Sequence, residues 1–79
     1  MNDLENEILE ILSMDPETVE LLAGMVVLED GSNPSEADVR EALGNLEARG
    51  LVRSKEGIAA DYRGESVAAT WWMLTTEVA

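Results

Sequence analysis

The sequence contains no cysteine, no histidine and no phenylalanine. Without cysteine and histidine, disulfide staples, zinc ribbons, thiol nucleophiles and histidine bases are excluded. The other reactive groups are scattered carboxylates and hydroxyls, and the chain has neither a calcium loop nor a phosphate-cradling glycine motif. We therefore expect that the protein is not an enzyme and that it binds no cofactor and no metal.

Long apolar runs are also missing. The longest extends from Met25 to Leu28, far short of the roughly 20 residues that span a bilayer. The first ten residues carry four acids and no base, whereas a secretory signal needs a positive start and an apolar run. We expect no membrane segment and a cytoplasmic location.

Basic residues are scarce and confined to one segment. Seventeen acids oppose five bases, which gives a net charge of −12. Residues 1–39 contain eleven acids and no base, whereas residues 40–63 contain all five bases and four acids, a local charge of +1. The bases are Arg40, Arg49, Arg53, Lys55 and Arg63. They either form an electrostatic footprint for phosphate or balance neighbouring acids as ordinary surface pairs.

The acidic first half has three explanations. It is a solvated surface that keeps the protein soluble in strong salt, a negative surface for a basic protein partner, or an imitation of a nucleic-acid backbone. Halophilic adaptation would also explain why only one of the five bases is lysine. The sequence leaves these alternatives open.

Seventy-nine residues with an apolar share of 46% make a single domain, residues 1–79. A first helix is predicted from Asn2 or Asp3 to near Ser13, because apolar residues recur at helical spacing. Its apolar stripe is Leu4, Ile8, Ile11 and Leu12. Its solvent side is predicted to carry Glu5, Glu7 and Glu10.

Two more helices follow. Asp15-Pro16-Glu17 predicts a second helix, with Asp15 as N-cap and Pro16 in the first position. This helix either ends at Gly24, leaving Met25 to Leu28 extended, or continues to Leu28. Its apolar face is Val19, Leu22 and Val26, with Leu21 and Met25 as further candidates. The third helix is predicted from Ser35 to Arg49, with Ser35 as N-cap and Gly50 as a left-handed C-cap. Its stripe is Val39, Ala42, Leu43 and Leu46.

After Gly50 the pattern changes to strands. Leu51 to Ser54 predicts a short strand, Lys55-Glu56-Gly57 a turn, and Ile58 to Tyr62 another short strand. Arg63-Gly64-Glu65 predicts a second turn before the best strand of the chain, Val67 to Leu74.

Trp71 and Trp72 are adjacent on that last strand, so their side chains point to opposite faces. One of them belongs in the core. The other packs under the first helix or forms a contact with a second copy of the chain, since exposed tryptophan is enriched at interfaces.

The order of these elements and two local motifs resemble winged-helix regulators of the MarR-like and PadR-like kinds. Val39 to Val52 reads VREALGNLEARGLV, and Trp72 to Val78 reads WMLTTEV. In those regulators an apolar helix ends in "L-x-x-L-x-x-R-G-L-V", and the returning strand ends in an aromatic residue followed by "L-T". The resemblance implies an α+β winged helix, a three-helix helix-turn-helix core followed by a β-hairpin wing.

The resemblance also implies a small transcriptional regulator that binds double-stranded DNA. The third helix would enter the major groove and the wing would touch the DNA backbone. Arg40 is then the base-edge reader, and Arg49 contacts phosphate. The groove-facing candidates are Ser35, Arg40, Glu41, Gly44 and Ala48, and the wing candidates are Arg53, Lys55 and Arg63. The alternative is an acidic winged helix that binds no DNA and instead meets a basic protein or forms a homodimer.

Overall fold

Three helices followed by one β-hairpin make up the computed structural model, which describes residues 2–75. The helices are α1 (Asp3–Leu12), α2 (Val19–Met25) and α3 (Glu36–Ala48). The antiparallel strands are β1 (Val52–Ala60) and β2 (Ser66–Leu74). This arrangement confirms the predicted α+β winged helix. None of the described helices is long and apolar enough to cross a membrane.

A reciprocal capping box begins α1. The side chain of Asn2 accepts a hydrogen bond from the Glu5 amide at 2.8 Å, and the Glu5 carboxylate accepts one from the Asn2 amide at 3.3 Å. The helix ends at a Ser13 C-cap, as predicted. The placement of Glu5 on the solvent side is wrong, because the carboxylate turns back to the helix start and the residue is only 3% exposed.

The predicted start of the second helix is also wrong. Asp15-Pro16-Glu17 does not enter the helix, since Glu17 forms an antiparallel bridge with Trp72 of β2. The amide of Glu17 donates to the Trp72 carbonyl at 3.0 Å, and the Trp72 amide donates to the Glu17 carbonyl at 2.8 Å. Thr18 caps α2 instead, accepting from the Leu21 amide at 3.3 Å. Tertiary strand pairing therefore overrides the local helix signal.

The end of α2 lies between the two predicted alternatives. The helix passes through Gly24 and stops at Met25, because the C-cap Val26 has an extended backbone. Leu22 and Val26 are fully buried, as predicted. Leu21 and Met25 are 46% and 48% exposed, so they do not belong to the core face of this helix.

A left-handed turn at Gly50 ends α3. The helix has the predicted N-cap, with the Ser35 hydroxyl accepting from the Asp38 amide at 3.0 Å. At the other end, Gly50 has φ of 75°. Its amide donates to the Glu47 carbonyl, and the Leu51 amide donates to the Leu46 carbonyl. These two bonds form a Schellman motif, for which glycine is the usual residue.

Thr75 joins the two motifs that carry the family resemblance. Its amide donates to the Leu51 carbonyl at 3.1 Å, and its hydroxyl donates to the Gly50 carbonyl at 2.5 Å. The "R-G-L-V" end of α3 and the "L-T" end of β2 are thus one bonded unit. Residues 76–78 of the second motif lie outside the described residues.

The hairpin is longer and more regular than predicted. β1 is a single strand from Val52 to Ala60 and has no turn at Lys55-Glu56-Gly57. Gly57 is a strand residue that pairs with Ala69, and its lack of a side chain leaves room for the ring of Trp71. The strand predicted over Ile58 to Tyr62 is therefore part of β1 and ends at Ala60, and the connecting turn covers residues 61–65.

The core lies between the three helices and the base of the hairpin. Its buried side chains come from all three helices and from Val52 of β1. Trp72 and Leu74 pack against this core, whereas Trp71 lies on the opposite sheet face, as the alternation along a strand requires. Trp71 does not pack under α1 but lies over Gly57, beside Pro16. The fully buried core side chains include Ile8, Leu22, Val26, Val39, Leu43, Leu46 and Val52.

An ion pair links α1 to the end of α3. The guanidinium of Arg49 lies 3.9 Å from the carboxylate of Glu5, and the two side chains are 51% and 4% exposed. Arg49 is therefore the cationic partner of a buried carboxylate. Removing one member of such a pair leaves the other charge poorly solvated.

We expect Arg49→Ala to destabilise the fold by about 1 kcal/mol, a value lowered from that of a fully buried pair because Arg49 is half exposed. In a Glu5→Gln background the same change should cost less, because no buried charge is left behind. Urea unfolding of the four proteins measures the coupling. Equal costs in both backgrounds would show that the pair does not contribute.

The excess of acid predicts a fold that gains stability in salt. Crowding of carboxylates is visible at Glu17, whose pKa is raised by partial burial and by the charge of Asp15. Screening shortens such repulsion, since the Debye length falls from about 10 Å at 0.1 M to about 3 Å at 1 M salt. We expect Tm to rise by roughly 5 °C over this range, measured by circular dichroism. The double variant Glu10→Gln/Glu20→Gln should show a smaller rise, and an unchanged Tm in the wild type would contradict the argument.

Candidate nucleic-acid interface

The solvent-facing side of α3 carries the predicted groove-facing residues. Arg40, Glu41, Gly44 and Ala48 are all exposed, and an added side chain at Gly44 would meet no other atom within 4 Å. This face is open and nearly flat, because its small residues leave few projecting groups. Ser35 marks its N-terminal end, where the hydroxyl is already used as the helix cap.

Arg40 is the single basic side chain along this helix face. Its guanidinium lies 3.4 Å from the carboxylate of Glu36 one turn earlier, in an exposed pair that costs little to break. Arg40 also borders a cleft of about 210 Å³ between the start of α2 and residues 68–70 of β2, with Glu20 on its rim. Arg40 can therefore reach either outward or toward the wing. Glu41 borders a different groove, between α3 and the start of α1.

The predicted wing residue Arg63 lies at the tip of the hairpin between two acids. Its guanidinium is 3.4 Å from Asp61 and 3.4 Å from Glu65, and it stacks 5.5 Å from the centre of the Tyr62 ring. Asp61 organises the turn, accepting from the amides of Arg63 and Glu65 at 2.8 and 3.0 Å. These bonds, led by that from Glu65, lower the pKa of Asp61, so the carboxylate stays charged next to Arg63.

Arg53 and Lys55 lie on the outer face of the sheet. In the regular register, Arg53 pairs with Met73 and Lys55 with Trp71, on the face opposite to that of Trp72 and the core. Neither has a carboxylate within salt-bridge distance in the part of the chain that the structure describes. They differ in this respect from Arg40, Arg49 and Arg63.

The structure does not gather the five predicted cations on one surface. Arg40 lies on α3, Arg49 is tied to α1, and Arg63 is enclosed by acids at the hairpin tip. Arg53 and Lys55 are the two that lie side by side. The partner of Arg49 could have been found from the sequence, because the N-x-x-E spacing of Asn2 and Glu5 is a capping-box pattern that turns the glutamate inward.

Comparison with solved structures places the fold among transcriptional regulators. The chain is similar to a candidate transcriptional regulator from Thermoplasma acidophilum, with a TM-score of 0.70, 19% identity, and coverage of 92% of this chain and 65% of that one. It is also similar to a PadR family transcription regulator from Clostridium difficile, with a TM-score of 0.72, 20% identity, and coverage of 95% and 74%. The chain thus spans slightly less than two thirds of the first of these proteins. No protein-family profile and no curated protein matches the sequence. At these identities the likeness establishes a winged-helix fold of the PadR-like kind.

Proposed function

We propose that this chain is the DNA-binding domain of a small transcriptional regulator. The observation that carries the proposal is the exposed face of α3, which follows α2 in helix-turn-helix order and stands beside a projecting hairpin. An α-helix presented in this way fits the major groove, and a hairpin beside it reaches the adjacent backbone. Both similar solved structures are described as transcription regulators, which supports the same role.

Arg40 is the proposed base-edge reader. It is exposed, it lies on the open face of α3, and its contact with Glu36 is a surface pair. A guanidinium of this kind can donate two hydrogen bonds to O6 and N7 of guanine. Gly44 and Ala48 would let the helix backbone come close to the base edges.

The phosphate contacts fall mainly to Arg53 and Lys55. Both are exposed on β1, the outer strand of the hairpin, and neither has a carboxylate partner among residues 2–75. Arg49 and Arg63 would have to leave Glu5, or Asp61 and Glu65, before they could bind phosphate. The DNA interface therefore rests on about three cations, and we expect a shallow dependence of affinity on salt.

A duplex of random sequence tests the proposal directly. At about 50 mM salt, micromolar protein should shift the duplex, and log Kd should change with log salt with a slope near 3, about 0.9 per phosphate contact. Arg53→Ala with Lys55→Ala should reduce that slope by about 2 and leave Tm nearly unchanged. Asn6→Asp, which adds one negative charge on the exposed side of α1, controls for net charge.

Arg40 is tested by selection from a random DNA pool. The wild type should enrich sites with a fixed guanine, and Arg40→Ala should lose that preference, at a cost of about 1–3 kcal/mol at that position. An unchanged preference would remove Arg40 from the base-reading role.

An acidic protein-interaction module is the second candidate. The observation that favours it is the pairing of Arg40, Arg49 and Arg63 with carboxylates in a chain of net charge −12. If no duplex is shifted at low salt, this candidate replaces the first. Light scattering would then separate a homodimer from a monomer that awaits a basic partner.

A further inference from the structure

A groove of about 420 Å³ crosses the outer face of the sheet, on the side away from the helices. Pro16 lies at one end and Lys55 with Gly57 at the other, and Trp71 and Met73 lie between them. The lining is mainly apolar. A space of this size falls within the range of small-molecule sites in proteins.

The groove is formed by features that the sequence did not predict. Because residues 15–17 pair with β2 instead of starting a helix, Pro16 lies against the outer sheet face. Because Gly57 is a strand residue, the ring of Trp71 lies across β1. A Cβ at Gly57 would be 2.8 Å from that ring, and the indole N–H donates to the Ile58 carbonyl at 3.2 Å. The indole is thus fixed at one side and presents a flat apolar surface.

The charges around the groove favour an anion. Lys55 is cross-strand from Trp71 and Arg53 is cross-strand from Met73. Both cations lack a carboxylate within salt-bridge distance among residues 2–75. Glu56 also borders the groove, but its carboxylate accepts a bond from Thr70 on the other sheet face. Asp15 is the one acidic side chain at the rim that has no such engagement within the described range.

We infer that this groove binds a small planar aromatic anion. The ring lies against Trp71, Pro16 and Met73, since indole, proline and thioether groups all favour flat aromatic partners. The anionic group is held by Lys55, with Arg53 one pair further along the sheet. A neutral ligand would desolvate these cations without a partner, and a cationic one would be repelled by them.

Three ligands with one ring system test the proposal by isothermal titration. They are 1-naphthoate, 1-naphthalenemethanol and 1-naphthylmethylammonium. We expect the anion to bind about tenfold more tightly than the neutral alcohol and the cation to bind weakest, because a charged hydrogen bond is added to the same ring contact. If none of the three binds at millimolar concentration, or if all bind equally, the proposal fails.

Variants separate the contribution of charge from that of the ring. Lys55→Gln should abolish the preference for naphthoate over the alcohol and preserve binding of the ring. Arg63→Gln removes the same charge at the hairpin tip and should leave the preference intact, so equal effects of the two would contradict the proposal. Gly57→Ala should weaken all three ligands, because its methyl group displaces the indole. Circular dichroism verifies that the variants are folded, and Lys55→Gln, exposed on the strand, tests the site even if Gly57→Ala does not fold.

One consequence rests on the proposed DNA-binding function. Arg53 and Lys55 cannot hold a ligand anion and DNA phosphates at the same time, so naphthoate should displace a bound duplex and the alcohol should do so about tenfold less effectively. Ligand binding is measured without DNA, so its outcome is independent of that of the mobility shift. Naphthoate that binds but displaces no duplex would refute the competition and leave the groove in place.

Discussion

The left-handed turn at Gly50 determines how the rest of the molecule is arranged. It reverses the chain between α3 and β1 within two residues, and its carbonyl is held by the hydroxyl of Thr75 at the far end of the hairpin. The first strand residue, Val52, is thereby directed into the core at 1% exposure. Because side chains alternate along a strand, that one placement directs Trp72 and Leu74 inward and Arg53, Lys55, Trp71 and Met73 outward. A one-residue shift would exchange the two sets.

The elements that sequence analysis predicted well are those whose signals are local. The capping residues and apolar stripes of α1 and α3, and the glycine after α3, lie within a few residues of one another and require no knowledge of distant partners. The errors occur where distant residues decide. Asp15-Pro16-Glu17 carries a good helix start, but Trp72, more than fifty residues away, pairs with Glu17 and holds the segment extended. Lys55-Glu56-Gly57 has turn composition, but Trp71 uses the missing side chain of Gly57 as a seat.

The candidate site shows the same division. Sequence analysis identified all five cations and the exposed face of α3, because composition and helical period are sufficient for both. It could not separate the cations by role, because that depends on where the carboxylates lie in space. Glu5 is inward only because it closes a capping box, and it then attracts Arg49. Asp61 and Glu65 are near Arg63 because the turn at residues 61–65 is closed by their backbone bonds.

These pairings change what the net charge means for function. A chain of −12 should repel DNA and other anions at long range, but beyond about 8 Å such repulsion is largely screened at physiological salt. Recognition is then decided by the cations that a ligand can reach without competing with a carboxylate. Three of the five fail this requirement wholly or partly, which leaves Arg53 and Lys55 on the wing and the weakly paired Arg40 on α3. The two on the wing share their sheet face with the groove of Trp71, so occupancy of that groove and contact with phosphate are bound to compete. In so acidic a chain, a single pair of unpaired cations is enough to make the wing responsive to anions.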